Sequence, residues 1–129
     1  VIQEKEGKLL REIIAEEGPD GFIAVENRIN SEIEAHHSVI ATGGSVVYGK
    51  EAMEHLRQIG TVIYLKLDYQ TVKRRLGNLK ARGVVLEEGQ TLHDLYCERI
   101  PYYEKYADIT VKLDKLSIGN SLEKVLENL

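Results

Sequence analysis

Three short apolar runs, at 38–42, 61–67 and 108–113, are kept apart by segments of helical periodicity. Strands that never follow one another through a tight turn cannot close hairpins, so they must pair in parallel through crossover helices. The pattern predicts an α/β fold, a parallel sheet flanked by helices in layers. Thr61-Val62-Ile63-Tyr64-Leu65-Lys66-Leu67, rich in β-branched residues, is the strongest strand signal. Three strands are few for a parallel sheet, which normally needs helices over both faces.

Between the strands, Leu9, Leu10, Ile13 and Ile14 mark a short amphipathic helix that Glu17-Gly18-Pro19 should stop. Asp20 can cap a second helix, in which Phe22, Val25, Ile29 and Ile33 recur at helical spacing. Helices are expected over 50–59, 69–76, 92–106 and 120–128. Pro101 should kink the 92–106 helix or end it after Ile100. Residues 43–49 read as a loop. The segment 77–89, with its glycines and mixed charges but no apolar period, reads as a mobile loop.

A chain of 129 residues suffices for one domain with a modest core. Its net charge of -4 argues against a nucleic-acid partner held by bulk charge, yet allows a local basic pocket for an anionic small molecule. The single cysteine, Cys97, precludes an intrachain disulfide framework and fits a reducing cytoplasm. No apolar run reaches membrane-spanning length, and no signal peptide is visible. Val1 leads at once into a helix-like pattern, as expected of a cut or processed end.

The run at 38–42 ends in Gly43-Gly44-Ser45. Consecutive glycines after a strand let the backbone approach a ligand at the carboxyl edge of a sheet, where α/β folds bind substrates. A tight turn accounts for them equally simply. Gly44 to Lys50 also matches the spacing G-x-x-x-x-G-K of a phosphate-binding loop. The following residue is Glu51 rather than Ser or Thr, and Val46, Val47 and Tyr48 are stiff, so the match is read as a decoy.

Arg99, in Glu98-Arg99-Ile100-Pro101-Tyr102-Tyr103-Glu104, can hold a carboxylate in its planar fork, with the tyrosines as walls. A surface ion pair with Glu98 or Glu104 is the blander account. Arg74, Arg75, Lys80 and Arg82 form a basic cluster beside the glycine-bearing loop, which could close over phosphates or be a solvated face. His36-His37 reads as a solvated helix end, Cys97 as a packing residue, and His55 and His93 take no role. Glu26, one turn beyond Phe22, is structural or orients a substrate-binding group.

Taken in this order and at this separation, Gly43-Gly44-Ser45 and the motif around Arg99 resemble the shikimate kinase family, P-loop kinases that phosphorylate a hydroxyl of an anionic metabolite. The resemblance runs along essentially the whole chain, beginning partway through the family pattern, as a single domain. It implies a helical acceptor subdomain over about 1–37 and a lid over about 78–90. It further implies that Gly43, Gly44, Ser45 and Arg99 bind the acceptor and that Arg75 contacts nucleotide. Arg82 would act catalytically on the transferred phosphate. ATP and Mg²⁺ are the implied cofactors, a small molecule the partner, and a cytoplasmic monomer the expected state.

Ser45 stands where the family usually has a third glycine. Ile23 stands where it has a second carboxylate-binding arginine, which favours a less polar acceptor. The family's first strand, Walker loop and acidic segment would lie before Val1, so negligible activity is expected from these residues alone. A related small-molecule kinase, of gluconate-kinase or nucleoside-monophosphate-kinase type, and a non-catalytic acceptor-binding or regulatory domain are the alternatives.

Overall fold

Parallel pairing needs a crossover, and the chain provides it between Ile63–Lys66 (β1) and Ile109–Lys112 (β2), which pair in parallel from Ile63 opposite Ile109 to Lys66 opposite Lys112. The computed structural model describes residues 1–77, 88–114 and 117–129. Carboxylates finish the ladder at its two ends. The Val62 amide donates to Asp108 Oδ2 (2.8 Å) and the Asp68 amide to Asp114 Oδ1 (2.8 Å). These bonds satisfy backbone donors where the strands run out.

The helices are Ile2–Glu6 (α1), Leu10–Ser31 (α2), Lys50–Ile59 (α3), Tyr69–Leu76 (α4), Leu92–Tyr106 (α5) and Ile118–Glu127 (α6), with a 3₁₀ turn at Gly44–Tyr48. Their starts are written in short polar side chains. Asp68 accepts from the Thr71 amide at α4, and Ser117 from the Asn120 amide at α6. Thr91 and Asp94 form a reciprocal capping box at α5.

Two apolar clusters anchor the layers. Val46, Val47, Ala52, Met53, Leu56 and Tyr106 pack together, with Val62 and Tyr103 against them. Ile13 and Phe22 form the second, with Ile2 and Ile14. The α2 helix docks on the start of α3 through Asn27, whose Oδ1 accepts from the Ala52 amide (3.0 Å) and whose amide donates to Glu51 (2.9 Å). A Cβ on Gly49 would overlap that Asn27 amide group, so the close approach requires glycine there.

Several expectations need correction. Residues 38–42 form no strand: Val39 is 97% exposed, and among the described residues the segment has no strand partner to satisfy its backbone. Pro101 does not end α5, which continues to Tyr106. Pro101 and Cys97 are exposed, so water can reach the Cys97 carbonyl that the proline leaves unpaired, while buried Arg99 and Tyr106 on either side anchor the helix. Cys97 is exposed rather than packed, and His36-His37 lies in a turn beyond the end of α2. Most of the expected lid, including Lys80 and Arg82, falls outside the described residues.

The stop expected at Glu17-Gly18-Pro19 becomes a break inside α2, carried by Gly18 at φ 72°, ψ 175°. That region of backbone space is essentially closed to residues with a Cβ. The break lets the two halves of α2 face different ways, so that Ile13 and Phe22 meet in one cluster. Nothing lies within 4 Å of a Cβ placed on Gly18, so any cost of substitution is conformational. Gly18→Ala should lower stability by about 1–3 kcal/mol, seen as a lower urea midpoint at unchanged m-value.

Candidate functional site

The 3₁₀ turn that follows Gly43 buries Ser45, Val46 and Val47 and leaves Gly43 and Gly44 facing outward. Tyr103 from α5 fixes this turn by donating its hydroxyl to the Gly44 carbonyl (3.0 Å). Its ring rests against Tyr64 of β1, with centroids 5.1 Å apart. A Cβ on Gly44 would lie 2.8 Å from both Arg99 Nη1 and the Tyr103 hydroxyl, so those side-chain ends would have to shift to admit it.

Arg99 is not the exposed ion-pair partner that the blander account supposes. It is only 8% exposed, and among the described residues no carboxylate forms an ion pair with it. Its Nε is buried without a hydrogen-bond partner. The guanidinium lies 5.4 Å from the centroid of the Tyr48 ring, which Tyr102 supports edge-on at 5.3 Å. A cation–π contact of this kind stabilises a partly desolvated cation, the Tyr48 phenol adds a hydrogen bond to it, and the Nε–H is left unused. Burial pushes the Tyr48 phenol up, and Arg99 pulls it back.

Across the glycine pair from Arg99 stands Glu26 of α2, 4% exposed. Its Oε1 accepts a 2.6 Å hydrogen bond from the Ser45 hydroxyl, and its Oε2 would lie 3.5 Å from a Cβ on Gly43. Burial raises the Glu26 carboxyl above its ordinary value, while the Ser45 hydrogen bond and the charge of Arg99 oppose that rise. Glu26 and the nearby buried Asn30 line a cleft of about 250 Å³ together with Ile40, Thr42 and Gly43.

Four of the sequence-selected residues, Gly43, Gly44, Ser45 and Arg99, thus meet in one place. Arg75 sits apart from them in sequence and element, in the exposed last turn of α4. Glu26 and Tyr48 were the less legible members. Glu26 sits one turn from Phe22 on the buried side of α2, a signal that its burial would need a partner. Tyr48 read only as a stiff residue in a loop. Ile23, where a second arginine was the family expectation, is half-buried and shares a helix face with Glu26 by its i, i+3 spacing.

The described residues do not fit a nucleoside triphosphate with Mg²⁺. In the loop that mimics the phosphate-binding spacing, Ser45, Val46 and Val47 are turned inward, and Lys50 pairs with Glu54 (3.9 Å). The Ala52 amide in the first turn of α3 is already taken by Asn27. Among the described residues no cluster of three carboxylates, histidines or cysteines could hold a metal ion.

A buried acid whose folded-state value is raised favours folding in its protonated form. That contribution is complete below the ordinary carboxylate value and is lost as pH rises through the higher folded value. Glu26→Gln keeps an acceptor for Ser45 but removes the titration. Relative to wild type, its urea midpoint should therefore improve on going from about pH 4 to about pH 8. A wild-type midpoint that gains on the variant over that range would contradict the assignment.

Known proteins resemble the chain along its whole length. The shikimate kinase family model matches residues 1–129. The chain is 34% identical to a shikimate kinase of Chlorobium chlorochromatii over 136 residues, covering 97% of this chain and 71% of that protein. It is 33% identical to a shikimate kinase of Pasteurella multocida, covering 99% of this chain and 77% of the relative. The corresponding protein of Vibrio cholerae is 34% identical over 98% of this chain and 76% of its own length. A whole-chain match to the family, together with an acidic helix, a glycine turn and a buried arginine in one place, leads to one conclusion: the chain belongs to the shikimate kinase family.

Proposed function

We propose that the chain forms the acceptor side of an ATP-dependent kinase that phosphorylates a hydroxyl of shikimate, with Gly43, Gly44, Ser45 and Arg99 binding the acceptor. The observation that carries this reading is the state of Arg99. A guanidinium that is 8% exposed, stacked on Tyr48 and without a carboxylate partner among the described residues is costly in isolation. An acceptor carboxylate would complete it through two parallel N–H···O bonds. Gly43 and Gly44 leave the approach to that fork free of side chains.

The acceptor would thus be oriented by its carboxylate, and orientation is the main service a protein gives to phosphoryl transfer. Arg75 and Arg82 are proposed to act on the nucleotide and on the transferred phosphate, Arg75 from α4 and Arg82 from the segment outside the described residues. Because the described residues do not fit ATP and Mg²⁺, no step is assigned to those groups here. No described helix is long and apolar enough to cross a membrane, and the proposed setting is a cytoplasmic monomer.

Calorimetric titration with shikimate tests the reading, alongside an assay for shikimate-dependent ADP formation. Arg99→Ala should weaken shikimate binding about tenfold or more, the range of about 1.5–3 kcal/mol for a hydrogen bond to a charged group. Unaltered shikimate binding in the variant would remove Arg99 from the acceptor site. Shikimate binding without turnover would instead make the chain an acceptor-binding domain.

A further inference from the structure

Glu26 and Arg99, an acid and a base, are both buried and both border the Gly43-Gly44 pair: Glu26 Oε2 would lie 3.5 Å from a Cβ on Gly43 and Arg99 Nη1 2.8 Å from a Cβ on Gly44. Neither glycine places a side chain between them. In surroundings poor in water two such groups attract strongly, and an ion pair is the ordinary outcome. The structure shows something else. Glu26 gives its Oε1 to the Ser45 hydroxyl at 2.6 Å, and among the described residues no carboxylate pairs with Arg99. The Nε of Arg99 remains buried and unpartnered.

We propose that Ser45 is a positioning residue for the acceptor: its hydroxyl holds Glu26 on the far side of the glycine pair, which keeps the Arg99 fork open for the carboxylate of the substrate. The inference rests on the reading of Arg99 as the acceptor's anchor, and it adds the reason why that anchor is not filled from within. Two features make Ser45 suited to the part. It is buried at the head of the 3₁₀ turn, so its hydroxyl cannot turn to water. It also follows Gly44 directly, so the group that restrains Glu26 belongs to the same turn that Arg99 touches. With Oε1 held by Ser45, Glu26 stands near Arg99 without pairing with it, and the Nε–H of the guanidinium is left for a ligand. The arrangement also favours acceptors with a carboxylate, because charge-assisted paired hydrogen bonds to a guanidinium are stronger than bonds to a neutral oxygen.

The test combines one measurement that needs the acceptor with one that does not. In calorimetry, Ser45→Ala should weaken shikimate binding about tenfold, because the released Glu26 competes for Arg99. Adding Glu26→Gln to that variant should restore most of the loss, because a neutral amide competes poorly. A merely structural role for Ser45 gives no such rescue. The second measurement follows the Glu26 carboxyl carbon by NMR as pH is varied. Once freed by Ser45→Ala, Glu26 should pair with Arg99, and its titration midpoint should fall below that of wild type. A midpoint that holds or climbs would overturn the inference, as would a double variant that binds as weakly as the single one. Ser45→Gly, which only removes atoms, serves as a second variant should Ser45→Ala fold poorly. If wild type binds no shikimate, the acceptor reading fails, and the Glu26 titration still decides the role of Ser45.

Discussion

The site depends on how α2 is seated against the start of α3. Asn27 does this with one side chain, accepting from the Ala52 amide and donating to Glu51, and Gly49 gives it room. The neighbouring Glu26 is thereby fixed at the height of the 3₁₀ turn, within reach of Ser45. A helix N-terminus has several unsatisfied amides, and in α3 the Ala52 amide is met by a partner from α2. The same contact explains why the G-x-x-x-x-G-K spacing here is not a phosphate cradle: the turn is spent on packing.

Around that seat the electrostatics are arranged so that opposite charges approach without meeting. Arg99 is held by an aromatic face rather than by an acid, and Glu26 by a hydroxyl rather than by a base. Neither contact joins the acid to the base, and the Nε of Arg99 is left without a partner. A site that must accept and release a charged ligand has to keep such capacity in reserve, because a fully satisfied pair offers a ligand nothing.

Much of the fold was legible in the sequence. The helix at 50–59 and the one at 92–106 appear with the bounds that periodicity and end signals suggested, and β1 and β2 fall within the two strongest apolar runs. The failures have a common cause in context. The run at 38–42 has strand composition, yet a strand exists only where another backbone pairs with it. Pro101 breaks helices in isolation, whereas burial of Arg99 and Tyr106 carries α5 through it. For the site, the glycine pair and Arg99 were visible as types, but their meeting was not. Arg99 looked like a surface residue because acids flank it in sequence, yet Glu98 accepts from Gln90 and Glu104 pairs with Lys66 instead. Glu26 was ambiguous because a buried carboxylate is identified by its partner, and that partner, Ser45, lies 19 positions away.

The α5 helix ties these parts together in another sense. Along one stripe it sends Tyr96 to the Leu67 carbonyl, Arg99 to Tyr48, Tyr103 to the Gly44 carbonyl and Tyr106 into the apolar core. The proposed anchor for the acceptor and the main core are therefore borne on a single cooperative rod. Local opening at the arginine would require the rod to part from the core as well, so the pocket has little freedom to melt separately. By linkage, whatever occupies the fork draws down the unfolded population of the whole molecule, and the melting temperature becomes a gauge of occupancy.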